Sequence, residues 1–480
     1  MTDPGSAEPV TGLKHYIGSA RWFGGKGRAW QLGTTRRVGT LPGSTRDLTV
    51  VIDLVEISYA DGDPDFYQIP LALYPGPQDR LAHALIDVSG SEDGDGDRDR
   101  TYAYDALHDR DAMALWLQAF AAAADGKVTA DDLAFHRVAG HDLDTEAHST
   151  LFTGEQSNSS VAFGEDSLMK VFRKVTPGVN PDVSIHEVLT RAGSDHVAAL
   201  YGWLDVVDEP TDSTIQLAML QQFLRTASDG WELALASVRN LFAEEDLYAD
   251  EVGGDFAGEA ARLGRALAET HETLAENFPV ATRSADEMAM LASAMRDRLA
   301  AAIEVVPALA EHSPVLQETY DALGALSDVV VHQIHGDLHL GQTLRTVKGW
   351  KIVDFEGEPA KPLSERLLPD SPWRDVAGML RSFDYAPKAV AMTSFASELE
   401  PAAQDQQAYR ATEWSARNAQ AFLASYAARD LTDDEQTLLA AYIADKAVYE
   451  AVYEARNRPT WVDIPLEALA RLARDRTETA

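Results

Sequence analysis

The stretch His332–Pro359, HQIHGDLHLGQTLRTVKGWKIVDFEGEP, leaves few folds open to this chain. It reads as a strand ending at Ile334, a tight polar loop His335-Gly336-Asp337-Leu338-His339, and two short alternating runs, Gln342 to Thr346 and Trp350 to Phe355. Val347-Lys348-Gly349 joins the runs, and a glycine-ended turn between alternating runs is a hairpin signal. Simple antiparallel register about Lys348 sets residue 342 opposite residue 354. Gln342 and Asp354 then sit side by side, next to the loop that presents Asp337. An acid near an acceptor hydroxyl, with an amide and a second carboxylate to hold a divalent cation, is what phosphoryl transfer needs.

The surrounding chain decides what kind of protein carries such a stretch. Strands are expected at Leu48 to Tyr59, Asp65 to Leu73, Val161 to Phe163, Leu168 to Phe172 and, as a pair, over Val197 to Phe223. Helices are expected at Ala112 to Ala124 with a stop at Gly126, and after Asp182 as far as Arg191. From Glu251 onward the pattern is helical: Phe256, Ala260, Leu263, Leu267 and Leu274 mark one face, and Asp375 to Phe383, Thr412 to Ala428 and Thr432 to Arg456 follow. A β-rich half thus precedes a helical half, with the opening stretch as a β island among the helices. That order predicts a two-lobed α+β enzyme with a nucleotide in its cleft.

Size and charge narrow the class further. At 480 residues the chain exceeds one core and divides into units, read here as 1–100, 101–225 and 226–480. Lys plus Arg number 41 against 77 Asp plus Glu, a net charge of −36, which excludes nucleic acid and anionic membrane as expected partners. Cysteine is absent, so disulfides and thiolate metal sites are excluded. The start, MTDPGSAEPVTGLKHY, reads as disordered and lacks a signal-peptide pattern, and no long window is uniformly apolar, so a cytoplasmic protein is expected. Gly25-Lys26-Gly27 lacks the spacing and preceding strand of a phosphate loop and reads as a surface turn. The acidic run Ser89 to Arg100 misplaces the glycine and glutamate of a calcium loop and reads as a solvated linker.

Three sets of residues carry chemistry. Asp337 is the candidate base; alone it would read as a turn or capping aspartate, and its pairing with Gln342 and Asp354 favours catalysis. His335 and His339 read as loop formers, because nothing else at ligand spacing joins them. Lys170 stands within the apolar run Leu168-Met169-Lys170-Val171-Phe172, where a buried cation needs an anion. The polar turn Gly154-Glu155-Gln156-Ser157-Asn158-Ser159-Ser160 enters the same hairpin and suits phosphate, and Glu187 on the next helix is the candidate partner of Lys170. The third set, Asp445, Tyr449, Glu450, Tyr453, Glu454 and Trp461, pairs rings with carboxylates, as a sugar site does. For any one of them, packing of an amphipathic helix is the stronger reading.

His335-Gly336-Asp337 with Gln342 resembles the catalytic loop of aminoglycoside-phosphotransferase-like kinases, and Asp354-Phe355-Glu356 resembles their metal-binding strand end. GEQSNSS, LMKVFRKVTPGVNPD, HGDLHLGQTLRT, DFEGEP, DSPWRDVAGMLRSFDYA and DKAVYEAVYEARNRP together resemble the actinobacterial maltokinases, from about Leu13 to Ala470. The resemblance implies a two-lobed protein-kinase-like fold with an N-terminal β-rich cap domain. It implies ATP-dependent phosphorylation of maltose to maltose 1-phosphate, in α-glucan (glycogen) synthesis from trehalose, by a monomer that associates with trehalose synthase. Asp337 would activate the acceptor hydroxyl, Gln342 and Asp354 would hold Mg²⁺, and Lys170 with Gln156, Ser157 and Asn158 would contact ATP. Met219 to Phe223, including Gln221, would form the adenine hinge; His339, Glu356, Tyr449, Glu450, Tyr453 and Trp461 would face the sugar, bordered by Glu358. The relatives often carry a glutamate where Ser184 stands, which leaves two alternatives for the partner of Lys170: Glu187, one turn later, or none in the resting enzyme. Asp375 is expected to cap its helix and brace the catalytic loop.

Two other readings remain at this point. Glucosamine and aminoglycoside kinases share the loop, and a strongly acidic chain suits a cationic amino sugar. A catalytically inactive kinase-like binding module is the third reading, against which the joint presence of Asp337, Gln342, Asp354 and Lys170 speaks.

Overall fold

The computed structural model describes residues 12–60, 62–90, 100–123, 127–130, 132–152, 154, 157–208, 212–244, 248–252, 254–358, 361–393 and 401–479. Gln156, the start of the chain, the helix stop at Gly126 and most of the acidic run 91–99 lie outside the described residues. The chain forms two compact units, one of residues 1–187 and 198–225, the other of 188–197 and 226–480.

The first unit holds two sheets. Helix α1 (Leu13–Ser19) precedes β1 (Trp30–Thr40), β2 (Thr49–Tyr59), β3 (Asp65–Tyr74), β4 (Leu85–Ser89) and β5 (Thr101–Asp105), which pair antiparallel in the order β1-β2-β3-β5-β4. β2 and β3 fall where alternation places them, with Val51, Val55, Ile57, Tyr67 and Ile69 buried beneath α1 with Leu13 and Ile17. β5 pairs with β3 and β4, so the cap sheet runs past residue 100. Helix α2 (Arg110–Ala122), capped by Asp109, buries Met113, Trp116, Leu117 and Phe120.

The second sheet orders β6 (Lys127–Ala130), β7 (Leu133–Arg137), β8 (Ser149–Leu151), β9 (Ser159–Phe163), β10 (Ser167–Val171), β12 (Leu200–Asp208) and β13 (Ser213–Gln222) as β6-β7-β12-β13-β10-β9-β8. β11 (Lys174–Val175) leaves this sheet to pair with β3 of the cap. Helix α3 (Pro181–Arg191) follows.

In the second unit β14 (Ser228–Asp229) leads into α4 (Gly230–Ala243), α5 (Ala257–Asn277), β15 (Ala281–Arg283), α6 (Ala285–Val305), α7 (Ser313–Gly324) and β16 (Val329–Val331). The hairpin β17 (Thr343–Thr346) and β18 (Gly349–Ile352) comes next, then α8 (Leu363–Arg366), α9 (Trp373–Thr393), α10 (Pro401–Ala427), α11 (Asp433–Asn457) and α12 (Asp463–Thr479). The expected face of α5 is buried throughout at Ala260, Leu263, Leu267 and Leu274. Trp350 of β18 lies edge-on to Phe256 at 6.2 Å and donates from Nε1 to the Glu259 carbonyl at 3.1 Å, which seats the hairpin on α5. Phe256, Phe383 and Trp414 continue this aromatic core at centroid separations of 5.9 to 6.3 Å. Among the described residues no helix is long and apolar enough to cross a membrane.

Candidate active site

The loop that carries Asp337 is held from beneath by one carboxylate. Asp375, in the first turn of α9 and fully buried, accepts from the backbone N–H groups of His335 and Gly336, both at 2.8 Å. His271 Nε2 lies 3.1 Å from the same carboxylate. Burial alone would raise the Asp375 carboxyl, but these donors hold it below its ordinary value. Gly336 takes φ +86°, a turn that a side chain would strain. His335 Nε2 donates to the Val353 carbonyl at 3.0 Å, which leaves Nδ1 to accept from Asp337 N–H at 3.3 Å. His335 is thus a loop former, as its spacing suggested. On the far side Gly378 of α9 approaches so closely that a Cβ there would lie 2.4 Å from the Leu338 carbonyl.

The hairpin brings Gln342 and Asp354 together in a register one residue off the sequence expectation. Thr346 pairs with Gly349, so the turn is the two residues Val347-Lys348, and the axis falls between them rather than on Lys348. Gln342 therefore faces Val353, whose N–H donates to the Gln342 carbonyl at 3.0 Å. Asp354 turns back by adopting φ +67°, and Gln342 Nε2 donates to its Oδ2 at 2.9 Å. The amide oxygen of Gln342 and the Asp354 carboxylate are hard oxygen donors of the kind that binds Mg²⁺ through one or two protein ligands and several waters.

Beside Asp337 lies a cavity of about 100 Å³ built wholly within the second unit. Each carboxylate in its wall already has a cation. Lys446 Nζ of α11 contacts Asp337 Oδ1 at 2.8 Å, Arg374 contacts Glu358 at 2.7 Å, and Arg298 contacts Asp445 at 2.8 Å. Lys361 adds a further cation, 3.7 Å from Glu358. Burial would raise the Asp337 carboxyl; the Lys446 ammonium outweighs it and holds the acid below its ordinary range. Burial pulls the Lys446 ammonium down, and Asp337 outweighs that in turn, leaving it raised. Tyr449 stands in the same wall, 41% exposed, with its ring stacked on Tyr453 at 6.5 Å.

The other expected sugar residues are distributed differently. Glu450 is taken up by buried Arg381 of α9, whose Nη2 lies 2.8 Å away, so it is a helix-to-helix ion pair instead of a free acceptor for hydroxyls. Trp461 lies under Arg458, 4.4 Å from its guanidinium, and neither it nor Tyr453 reaches the cavity wall. His339 caps the turn at Leu340–Gln342, accepting from Gly341 N–H at 3.1 Å, and burial lowers its ring below the ordinary histidine value. Glu356 is half-buried, and its carbonyl accepts from Arg366 at 3.0 Å. Lys446, Arg374, Arg298 and Lys361 were not singled out from the sequence. A signal for Lys446 existed: it lies four residues after Tyr442 and three before Tyr449, on one face of α11.

The first unit presents the nucleotide candidates. Lys170 on β10 pairs at 2.8 Å with Asp182, an acid of the same helix as Glu187. Asp182 opens α3, is buried, and also meets His186 at 3.1 Å; the backbone at the helix start already favours an anion there. Burial would raise its carboxyl, but Lys170 and His186 hold it far below the usual range. Asn158 is buried and Ser157 exposed at the entry to β9, 3.4 Å apart through Asn158 Nδ2. Gln221, one residue before the end of β13, has its Oε1 buried and, among the described residues, without a hydrogen-bond partner, an acceptor that suits an exocyclic amine such as that of adenine. Phe223 N–H is already bonded to the Asp166 carbonyl at 2.8 Å, and its ring meets Phe152 at 5.8 Å.

Residues 16–109 match the maltokinase N-terminal cap domain family. The chain is 30% identical over 338 residues to the glucosamine kinase of Streptacidiphilus jiangxiensis, covering 67% of this chain and 73% of that protein. It is 28% identical over 338 residues to the glucosamine kinase of Mycolicibacterium smegmatis, covering 68% and 80%. The solved structure of a glucosamine kinase in complex with glucosamine, ADP and inorganic phosphate shares the fold with a TM-score of 0.67, across 95% of this chain and 98% of that one, at 22% identity.

Proposed function

Because the chain belongs to the family of sugar kinases that includes the glucosamine kinases and carries a maltokinase N-terminal cap domain, we propose that it transfers the γ-phosphoryl group of ATP to maltose, giving maltose 1-phosphate. The observation that carries the choice of a neutral acceptor is the charge pairing of the cavity wall. Asp337, Glu358 and Asp445 each hold a cation, and Lys361 adds one more. An ammonium on the sugar would have to displace a lysine or arginine from its partner, whereas hydroxyls donate to the carboxylate lone pairs that remain. The cap domain match supports the same reading.

In this reading the acceptor hydroxyl lies against Asp337, which takes its proton as the oxygen bonds to the γ-phosphorus and the bond to the β,γ-bridging oxygen breaks, releasing ADP. Asp375 fixes the loop, so Asp337 is positioned before substrate arrives. Tyr449 offers a ring face to the apolar side of a sugar. Lys170, oriented by Asp182, holds the ATP phosphates, and Ser157 and Asn158 donate to them. Gln342 and Asp354 would hold Mg²⁺, which supplies charge neutralisation on the phosphates.

Coupled ATP consumption with maltose, glucosamine and kanamycin tests the proposal, with phosphorus NMR of the product to locate the ester. Turnover with maltose and phosphate on the anomeric carbon is expected. Glucosamine, the acceptor named for the relatives, is the second reading; turnover confined to it would replace maltose. Maltose 1-phosphate would supply α-glucan (glycogen) synthesis from trehalose, and co-migration with trehalose synthase in gel filtration tests the association.

A further inference from the structure

The cavity beside Asp337 carries more positive charge than its own acids balance. Four cations line it, Arg298, Lys361, Arg374 and Lys446, against the three acids Asp337, Glu358 and Asp445. Asp370 does not remove the excess, because it takes both Arg374 Nη1 at 3.0 Å and Arg283 at 2.8 Å. A chain with 77 acidic residues against 41 basic ones has kept a surplus cation at this spot.

The surplus falls on Lys361. Its Nζ lies 3.7 Å from Glu358, beyond hydrogen-bond distance, and that carboxylate already receives Arg374 Nη2 at 2.7 Å. Arg298 is joined to Asp445 by two contacts of 3.0 and 2.8 Å, and Lys446 is joined to Asp337 by one of 2.8 Å. Among the described residues the Lys361 ammonium therefore has no hydrogen-bond acceptor of its own. Burial and the Arg374 guanidinium hold it below its ordinary value, against Glu358 and Asp370. A half-buried ammonium among guanidinium groups is unfavourable until an anion joins it.

The proposed reaction makes such an anion. A neutral sugar enters the cavity and a phosphate monoester leaves it, carrying about 1.5 to 2 negative charges near pH 7. In this reading the ester forms at Asp337, in the wall that Lys361 shares. An ammonium is a compact charge with three donors, which suits phosphate oxygens.

We propose that Lys361 is an anion-binding residue of the acceptor cavity, taking the phosphate group of the sugar phosphate product, so that the product is retained and competes with incoming sugar. The proposal rests on the reading of this cavity as the acceptor site. It adds control of turnover by the product to that reading.

The test measures inhibition by the sugar phosphate product and by inorganic phosphate, with sugar and ATP varied in turn at constant ionic strength. Both should compete with the sugar, and the ester should bind more tightly because it keeps the contacts of the ring. In Lys361→Met the ratio of Ki for the ester to KM for the sugar should rise about tenfold, as for the loss of one hydrogen bond to a charged group. Lys361→Arg should restore most of it. Competition of the ester with ATP alone, or an unchanged ratio in a folded Lys361→Met variant, would overturn the proposal. So would inhibition by inorganic phosphate that the ester does not share. The measurement takes whichever sugar the wild type turns over and that sugar's own phosphate, so a wrong choice of maltose would not be confused with a wrong role for Lys361.

Discussion

Lys446 Nζ on α11 lies 2.8 Å from Asp337 Oδ1, so the candidate base waits for its substrate already ion-paired. The two are 109 residues apart, and the contact joins the loop of Asp337 to the α11 wall of the cavity beside it.

Asp337→Asn keeps the volume and removes the base. Turnover should fall about 100-fold to 10,000-fold, while ATP binding by calorimetry is retained. Near wild-type turnover would remove Asp337 from the mechanism.

Lys446→Met removes the largest influence that lowers the Asp337 pKa and leaves burial to dominate, against the smaller effects of His339 and His335. The wild-type carboxyl is depressed, so the charged form persists to low pH; without Lys446 it protonates at higher pH. The acid limb of kcat/KM should therefore move to higher pH. The stability from the pair, present above the unfolded pKa and lost as pH falls through the depressed one, should also disappear. Lys446→Arg should restore both in part. An unmoved acid limb in the methionine variant would show that the pair does not set the charge of Asp337.

Asp375→Ala strips the acceptor from two buried N–H groups, at a cost of about 1–3 kcal/mol for each donor left unsatisfied. A lower urea midpoint together with a lower kcat is expected. An unchanged kcat in the folded variant would mean that the loop is fixed by other contacts.

Gly378→Ala would place a methyl 2.4 Å from the Leu338 carbonyl, so the loop must move away from α9. Turnover should drop more than stability does, since a displacement of about 1 Å in a catalytic group costs on the order of 100-fold in rate. Full activity would mean that the helix shifts and the loop stays.

The parts of the molecule that depend on local pattern were legible in the sequence. β2 and β3 announce themselves by alternation, and α5 by its apolar face. The hairpin was legible too, but not its register: Gly349 lies just outside the turn, and only backbone geometry shows that Asp354 recovers the lost residue through a left-handed turn. What the sequence could not reveal are partners chosen by long-range packing. That Asp182 meets Lys170 depends on how the start of α3 abuts β10. Glu450 reads like Tyr449 along α11, yet one faces Arg381 and the other the cavity. β5 follows the acidic run and pairs with β3, some 30 residues earlier, a contact that no local window contains.

The strand pairing of β11 with β3 also bears on how such a protein can be taken apart. A chain begun after residue 109 would keep Arg173 but lose Asp105, Tyr16 and Trp22, leaving a buried cation without its counter-ion and a strand without its neighbour. The cap is therefore not a detachable accessory to a ready-made kinase. A shortened version would have to be redesigned at residue 173 first, and lineages of this fold that lack a cap should carry an uncharged residue there.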